Sequence, residues 1–280
     1  MYEDRNPAWL CGGVEVNSPD GKVIAWSEPE IVLYDDDRDV RMSYPDLIEE
    51  DGRFFLTETQ KDTARVHQID RALLEGLWKQ TDNRVVTAEG LLLDLPRKGG
   101  LIPSSVPMPQ LPAFTSADTS LAGHDRKDLR GGFAVELWVT FDSIASGQVL
   151  LDSRTENGHG LCVQMTPRGT IEIVLNDGRN ESRWDCDPSL LQAGRPHHVV
   201  VNIDGGPRII TFIVDGRLCD GGEARQFGWG RFSPNLRDAN GGRTLRIGPS
   251  VRGRIHCLRI YNRYLRTCEA VGNCRAGPMQ

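Results

Sequence analysis

The chain has 280 residues, with 39% hydrophobic and 26% charged side chains and a formal net charge of −6. This composition predicts a folded protein with a substantial core, and no apolar run approaches the ~20 residues that cross a bilayer, so no membrane span is predicted. Residues 1–80 hold 18 acidic and 9 basic side chains, which argues against a nucleic-acid partner because nucleic acids bind basic surfaces.

Neither the first residues nor the cysteines assign a compartment. The opening segment, Met1-Tyr-Glu-Asp-Arg5, does not have the pattern of a secretory signal. Seven cysteines occur without a Cys-x-x-Cys pair, so neither a zinc ribbon nor a redox motif is predicted, and most are expected to be buried thiols. Cys268 and Cys274 could form a small disulfide in an oxidising compartment, but spacing alone does not fix the geometry of a bridge, and this pairing stays open.

Short strands separated by turns are predicted over the first 60 residues. Apolar runs at residues 31–34 and 53–58 mark two of them. Asp51-Gly52, which precedes the second run, is the signature of a β-hairpin turn.

A helix is predicted from Asp70 to Trp78. Asp70 is a favourable N-cap, and the leucines that follow it form an apolar stripe at helical spacing. We expect this helix to link two units, residues 1–80 and residues 81–280.

From residue 131 the sequence has the period-two pattern of half-buried strands. The segment Phe133–Phe141 alternates large apolar residues with Ala134, Glu136, Trp138 and Thr140. Further strands are predicted at residues 148–151, 161–166, 170–175, 181–184, 197–203, 208–214 and 244–247. A strand spacing of about 8–12 residues is typical of an antiparallel sandwich or jelly roll.

Two other segments adjoin this pattern. Prolines between residues 96 and 112 are expected to prevent regular pairing there, while the apolar residues among them favour wrapping around a surface. In the last predicted strand, Ile255, Leu258 and Ile260 cannot share one face under strict alternation. This pattern predicts a β-bulge near Cys257 or burial on both faces.

Several motifs in this part of the chain occur in a characteristic order. They are Phe133-Ala-Val-Glu-Leu-Trp-Val139, Gly147-Gln-Val-Leu-Leu-Asp152, Gly194-Arg-Pro-His-His-Val-Val-Val201, Ile213-Val-Asp-Gly216 and the segment from Gly253 to Leu265. With them, residues 82–275 resemble the laminin G-like group of the concanavalin A-like lectin/glucanase superfamily. The resemblance implies a mainly β protein whose main fold is an antiparallel jelly-roll β-sandwich.

The first part of the chain resembles a different family. The run Met42-Ser-Tyr-Pro-Asp-Leu-Ile-Glu49, followed by Asp51-Gly52 and Thr57-Glu58, is similar to the end of a sialidase-type β-propeller over about residues 1–70. This resemblance implies a hairpin segment like the last blade of a propeller, with further blades expected upstream.

The same resemblance implies catalytic roles. Tyr44 would be the nucleophile, Glu58 the carboxylate at the strand end and Arg5 a carboxylate-binding arginine. A tyrosine suits an anomeric centre that already carries a carboxylate, because an anionic nucleophile would be repelled. Pro45 stands where the family tends to have serine, and no Ser-x-Asp-x-Gly-x-Thr-Trp box occurs. The alternative is that Tyr44 and Glu58 are ordinary strand residues, because one blade cannot assemble a propeller active site.

Candidate ligands in the sandwich point to binding rather than hydrolysis. His197 and His198 are adjacent in a strand, so they face opposite ways and cannot share a metal ion, and no pair of carboxylates has the strand spacing that glycoside hydrolysis needs. Aromatic rings with polar neighbours form sugar-binding surfaces, and the candidates of this kind are Trp138, Trp184, Trp229, Arg183, Asn235 and Asp238. Calcium, the one candidate cofactor, could bind loop carboxylates at Asp152, Asp185 or Asp204.

The sequence therefore predicts a carbohydrate-binding or accessory β-sandwich attached to a sialidase-like segment, with a glycan as the expected partner. Two alternatives stay open: a sialidase-like exo-glycoside hydrolase, and an adhesion or interface module. The sialidase resemblance suggests an extracytoplasmic parent protein. The sequence itself fixes neither the compartment, nor the glycan, nor the oligomeric state.

Overall fold

Antiparallel strands dominate the part of the chain that the computed structural model describes, namely residues 5–35, 37, 39–60, 62–96, 100–114 and 131–278. Two helices accompany these strands. Neither helix is long and apolar enough to cross a membrane within the described residues.

The first part of the chain forms three small antiparallel sheets. Their strands are β1 (Ala8–Leu10), β2 (Gly13–Ser18), β3 (Gly21–Trp26), β4 (Glu30–Leu33), β5 (Ser43–Glu50), β6 (Arg53–Gln60) and β7 (Thr63–Ile69). Strand β1 pairs with β4, β2 pairs with β3, and β5, β6 and β7 form the third sheet. The hairpin between β5 and β6 confirms the predicted Asp51-Gly52 turn, in which both residues have the positive φ that such a turn requires.

The predicted helix is present as α1 (Arg71–Trp78). The Asp70 side chain caps it by accepting a hydrogen bond from the Ala72 backbone nitrogen at 2.9 Å. Leu74 and Leu77 are buried, and Leu74 joins Leu33, Met42, Leu56 and Ile69 in a small apolar cluster. Helix α1 therefore closes the core of the first part of the chain.

The second part is a sandwich of two antiparallel sheets. Its strands are β8 (Leu91–Leu95), β9 (Ser105–Pro107), β10 (Phe133–Phe141), β11 (Val149–Asp152), β12 (Gly160–Met165), β13 (Ile171–Asn176), β14 (Glu181–Asp185), β15 (Pro196–Asp204), β16 (Ile209–Val214), β17 (Arg217–Leu218), β18 (Gly230–Arg231), β19 (Thr244–Ile247) and β20 (Gly253–Tyr261). The seven-stranded sheet has the order β17-β16-β15-β10-β20-β8, with β18 on β16, and the six-stranded sheet has the order β14-β13-β12-β11-β19-β9. Apolar side chains from both sheets fill the space between them.

The closing strand β20 contains the expected irregularity. Trp138 pairs with Cys257 and the next residue, Val139, pairs with Ile255, so His256 is the extra residue of a bulge. Leu258 reaches the same core as Ile255 in spite of the odd spacing. The predicted bulge near Cys257 is therefore confirmed.

The proline-rich segment departs from expectation. Strand β9 pairs with β19 as the edge of the six-stranded sheet, although the prolines were expected to prevent pairing. An edge position tolerates Pro107 because one side of the strand needs no backbone donor. After β9 the segment enters the core, where Leu111 and Phe114 are buried.

A second helix, α2 (Thr267–Ala276), follows the last strand and has no counterpart in the sequence prediction. Both Cys268 and Cys274 lie in this helix as free thiols. A sequence separation of six positions in a helix places their Cα atoms about 9 Å apart along the axis, beyond the ~7 Å that a disulfide spans. The helix therefore keeps the two thiols too far apart for the bridge that the sequence left open.

A buried carboxylate joins α2 to the seven-stranded sheet. Glu136 of β10 is fully buried, and its Oε1 accepts a hydrogen bond from Arg259 Nη1 at 2.6 Å and lies 3.2 Å from His198 Nε2. Its Oε2 accepts hydrogen bonds from Tyr261 Oη at 3.1 Å and from Asn273 Nδ2 at 2.7 Å. Burial opposes ionisation, but His198 and Arg259 hold the pKa of Glu136 below its usual value.

The first part of the chain is fastened to the sandwich through the start of α2. The buried Glu30 of β4 accepts a hydrogen bond from the Thr267 backbone nitrogen, and Arg266 pairs with Asp70 at 2.8 Å. Burial is the largest cause that raises the pKa of Glu30, to about 8. This junction therefore contains a carboxyl group that titrates near neutral pH.

Replacing Glu136 tests how much its buried contacts with Arg259 and the neighbouring side chains stabilise the fold. We expect Glu136→Gln to lower the free energy of unfolding by about 3 kcal/mol, because it leaves the buried Arg259 guanidinium facing an uncharged group. Urea unfolding followed by tryptophan fluorescence measures the change. Asp94→Asn, which removes the half-exposed second partner of Arg259, is the control and should cost less than ~1 kcal/mol. Equal unfolding midpoints for wild type and Glu136→Gln would contradict this role.

Glu30 predicts a pH dependence of stability. Because its pKa rises from 4.5 to about 8 on folding, the folded state keeps a proton that the unfolded state loses between these values. The contribution of this site to stability therefore falls as pH rises through that window. Glu30→Gln keeps an acceptor oxygen but does not titrate. Its free energy of unfolding should therefore increase relative to that of wild type by up to ~1.4 kcal/mol per pH unit.

Urea unfolding at several pH values between about 5 and 8 measures this difference. The exposed Glu49→Gln provides the matched acid-to-amide control. A stability difference between Glu30→Gln and wild type that stays constant across the window would show that Glu30 does not titrate on folding.

Candidate functional site

The outer face of the six-stranded sheet carries a layer of polar side chains, which we call the open face. Strand alternation sends Leu161, Val163 and the other odd-numbered residues of β12 into the core and their neighbours outward. The outward polar side chains of these strands are Asp152, Gln164, Glu172, Asn176, Glu181, Arg183, Asp185, Thr244 and Arg246, with Arg154 just after β11. Arg183 and Arg246 are 55% and 57% exposed, so the layer is accessible to a ligand.

Two arginines converge on one carboxylate at the β11–β19 half of the open face. Asp152, only 5% exposed, accepts hydrogen bonds from Arg154 Nε and Nη2, both at 3.0 Å, and from Arg246 Nη2 at 2.7 Å. Burial opposes ionisation of Asp152, but the hydrogen bonds and charge of Arg154, together with the charge of Arg246, hold its pKa below the usual value. The two guanidinium groups are thus fixed by an ionised partner.

The β13–β14 half of the open face has the opposite balance. Glu172 accepts a hydrogen bond from Gln164 Nε2 at 2.9 Å and lies 3.8 Å from Arg183 Nη1. Arg183 also pairs with Glu181, whose pKa it lowers by hydrogen bonding. Asn176 Nδ2 donates to Glu181 at 3.2 Å. Polar contacts therefore join β14, β13 and β12 through Glu172, and a separate cluster around Asp152 joins β11 and β19.

The opposite outer face of the sandwich is covered. Ala134, Val200 and Ile213 of the seven-stranded sheet form an apolar cluster with Leu265 and with Ala270 of α2. Only the six-stranded sheet presents a broad polar outer face among the described residues. This asymmetry makes the open face the stronger candidate for ligand binding.

Two predicted site residues lie at one end of the strands that form the open face. The backbone oxygen of Asn235 accepts a hydrogen bond from Asn180 Nδ2 at 3.2 Å, and Asp238 lies 3.5 Å from His159 Nε2. Asp177 of the β13–β14 turn accepts a hydrogen bond from the Arg237 backbone nitrogen at 3.0 Å. Of the predicted ligand set, the structure thus places Arg183 on the open face and Asn235 and Asp238 at its end.

The three predicted tryptophans lie elsewhere and do not join Arg183. Trp229 stacks on Phe227, with ring centroids 4.9 Å apart. Trp184 points to the core side, donates from Nε1 to the Gly228 carbonyl at 3.0 Å and lies under the Arg225 guanidinium. Trp138 is on the outer face of the seven-stranded sheet, where its ring centroid is 5.0 Å from that of His198. These rings are engaged by their own neighbours and do not form one stacking platform.

The three candidate calcium ligands are also separated. Asp152, on β11, pairs with Arg154 and Arg246. Asp185, on β14, accepts hydrogen bonds from Arg168 Nη2 at 2.7 Å and Arg225 Nη1 at 3.0 Å. Asp204, at the end of β15, accepts one from the Gly206 backbone nitrogen at 2.9 Å. Within the described ranges, no group of three or more histidine, cysteine, aspartate or glutamate side chains could hold a metal ion. The three aspartates therefore form no common calcium site.

The sialidase-like positions have contrasting environments. A bulge in β5 sets Tyr44 and the next residue opposite Glu58 of β6, yet the Tyr44 side chain is 82% exposed and Glu58 is 1% exposed. Arg65 Nη1 and His67 Nε2 lie 3.4 and 3.7 Å from Glu58 Oε1. Arg5 Nη1 donates to Ser43 Oγ at 3.0 Å, beside Tyr44.

A cleft of about 590 Å³ lies at another edge of the sandwich. Its walls are of mixed polarity and include Ile102, Val251 and Ile255, with Arg254 and His256 at one side. Burial and the Arg254 charge hold the pKa of His256 below its usual value. Polar groups do not converge in this cleft as they do on the open face, so it is the weaker candidate for a sugar.

Most of the open face was missed by sequence reasoning. The prediction included Asp152 only as a calcium ligand and omitted Arg154 and Arg246. The available signal was the alternation Thr244-Leu-Arg-Ile247, which places a polar residue on the outer side at every second position. That pattern does not show that Arg246 and Asp152, 94 residues apart, meet across neighbouring strands.

Several solved structures match parts of the chain, with TM-scores below 0.5. CBM40 of the Ruminococcus gnavus IT-sialidase is 17% identical, with a TM-score of 0.43, and the match covers 66% of this chain and all of that one. A Trypanosoma rangeli sialidase is 14% identical, with a TM-score of 0.39, and the match covers 95% of this chain and 53% of that one. The receptor-binding domain of botulinum neurotoxin mosaic serotype C/D is 14% identical, with a TM-score of 0.38, and the match covers 51% of this chain and 35% of that one. The chain thus spans about a third of the neurotoxin domain and about half of the sialidase.

No curated protein sequence matches the chain. Residues 115–270 match Laminin_G_3, described as the concanavalin A-like lectin/glucanases superfamily. The match spans more than half of the chain and includes strands β10 to β20 of the sandwich, so the chain belongs to the Laminin_G_3 family of the concanavalin A-like lectin/glucanases superfamily.

Proposed function

We propose that the sandwich is a non-catalytic carbohydrate-binding module that holds a glycan on its open face. The observation that carries this proposal is a pair of hydrogen-bonded polar clusters on the open face, one around Asp152 on β11 and β19 and one around Glu172 on β12 to β14. Sugars present many hydroxyl groups, and their binding sites need donors and acceptors held in fixed positions. Arg183, Gln164 and Glu172 supply both kinds of group without a large loss of side-chain freedom on binding.

The electrostatics of the open face favour binding over hydrolysis. A general acid must keep its proton near the working pH. The pKa values of Asp152 and Glu181 are instead held below the usual range, with their arginine partners contributing to the lowering. These carboxylates act in the proposal as fixed acceptors and as anchors for the guanidinium groups.

A second candidate function concerns the first part of the chain, which would act as a sialidase-like exo-glycoside hydrolase. Tyr44 favours it, because a tyrosine with φ of 51° in a strand is an uncommon conformation that occurs often at functional sites. The buried Glu58 on the neighbouring strand would be the supporting carboxylate, and Arg5 would bind the carboxylate of the substrate. A third candidate, an adhesion or interface module, is an outcome of the binding test below.

Glycan binding is tested by affinity electrophoresis in gels that contain neutral or acidic polysaccharides, with and without calcium. We expect at least one polysaccharide to retard the protein. Arg183→Ala should weaken that binding about tenfold, because charge-assisted hydrogen bonds are lost. Arg195→Ala is the matched control, since this exposed arginine lies in the turn before β15, away from the open face.

Retardation that is equal in wild type and Arg183→Ala would show that Arg183 does not bind the glycan. Wild type that binds no polysaccharide but forms a dimer in light scattering would favour the interface module. Loss of binding on calcium removal would show that a metal site exists in the chain.

The hydrolase candidate is tested with an aryl sialoside whose phenol release is followed by absorbance. Activity is expected to fall at least ~100-fold in Tyr44→Phe if the tyrosine is the nucleophile. Trp229→Phe, which changes an aromatic residue of the sandwich, serves as the control. Turnover that survives in Tyr44→Phe, or its absence in wild type, would reject this candidate.

A further inference from the structure

The open face lacks the usual means of binding a neutral sugar. Aromatic rings stack on the apolar faces of sugars, but the outward residues of β9, β11 to β14 and β19 include no aromatic side chain among the described residues. The apolar residues beneath the polar layer, Cys162 and Val174, are buried. Affinity on this face must therefore come from hydrogen bonds and charge.

Charge is unevenly distributed across the face. In the β11–β19 half, the guanidinium groups of Arg154 and Arg246 face the single carboxylate of Asp152. In the β13–β14 half, Arg183 faces the two carboxylates of Glu172 and Glu181. Among these groups the first half carries one excess positive charge and the second half one excess negative charge, while Asp185, opposite Glu172 on β14, is paired with Arg168 and Arg225. Arg246 lies three to four strands away from Glu172 and Glu181, or about 14–19 Å.

Arg246 is the best-placed donor for an anionic ligand. A guanidinium group has five N–H donors, and within the described residues Arg246 uses one of them on Asp152. Its side chain is 57% exposed. The Asp152 contact fixes its position, so the unused donors can form the parallel pair of hydrogen bonds that a carboxylate or sulfate accepts.

We propose that the open face selects anionic sugars and that their carboxylate or sulfate group binds Arg246, with Arg154 adding charge. This inference rests on the proposed glycan-binding function and adds the class of ligand and its orientation. Hydroxyl groups further along the glycan donate hydrogen bonds to Glu172 and Glu181 in the anionic half. The bound glycan therefore runs across the strands, with its acidic group toward β19.

Isothermal titration with matched ligand pairs tests this proposal. Oligogalacturonate carries carboxylates that are uncharged methyl esters in its partner, and sulfated and unsulfated chondroitin differ in the sulfate. We expect binding of at least one charged member to exceed that of its less charged partner about tenfold or more. The charged member's binding should also weaken as salt rises, because exposed charges are screened.

Variants of Arg246 give the second readout. Arg246→Gln should remove the preference within the matched pair, while Arg246→Lys should keep part of it, because lysine retains the charge without the planar fork. Arg195→Gln removes one positive charge elsewhere and should leave the preference unchanged. Thermal unfolding of each variant confirms that a change in binding does not come from loss of the fold.

Each outcome decides a different point. Preference for the carboxylated or for the sulfated member identifies which anion the site takes. Equal binding of charged and uncharged partners that still depends on Arg183 would overturn the anionic selectivity and leave the proposed glycan binding intact. Binding of no glycan at all would reject both. Selectivity that persists in Arg246→Gln would overturn the assignment to this arginine.

Discussion

The buried carboxylate of Glu136 connects the parts of this molecule that are distant in sequence. Its four neighbours come from β15, β20 and α2. A charge without water is stable only with such a complete set of partners. Asn273 therefore ties α2 to the sheet, and the start of α2 in turn contacts α1 and β4 through Arg266 and Thr267.

This arrangement explains why the two outer faces of the sandwich differ. The seven-stranded sheet uses its outer face for internal packing, with Glu136 and an apolar cluster under α2. The six-stranded sheet has no such requirement, so its outer side chains pair with one another in a polar layer. Polar side chains that hydrogen-bond to one another at the surface are held in fixed positions and stay accessible, so they are preorganised for a ligand.

The strands of the sandwich were predictable because side-chain alternation is a local property. The nine residues Phe133–Phe141 are an example. Helix α2 was not predictable, because Gly272 and Asn273 have little helical preference. In the structure Gly272 lies against Asn83, and Asn273 donates a hydrogen bond to Glu136, so both contacts are with residues distant in sequence. The open face had the same difficulty: Arg183 could be named from its strand, but the meeting of Arg246 with Asp152 depends on strand order.

The edge strand β9 has a consequence for the solubility of the sandwich. An exposed strand edge pairs readily with strands of other molecules, and proline blocks such pairing because it lacks a backbone donor. Pro107 lies in β9, with Pro103 and Pro109 close on either side. At the opposite edge, Glu181 and Arg183 of β14 add charge. The sheet that is most open to ligands is thus protected at both edges from forming continuous sheets with its own copies.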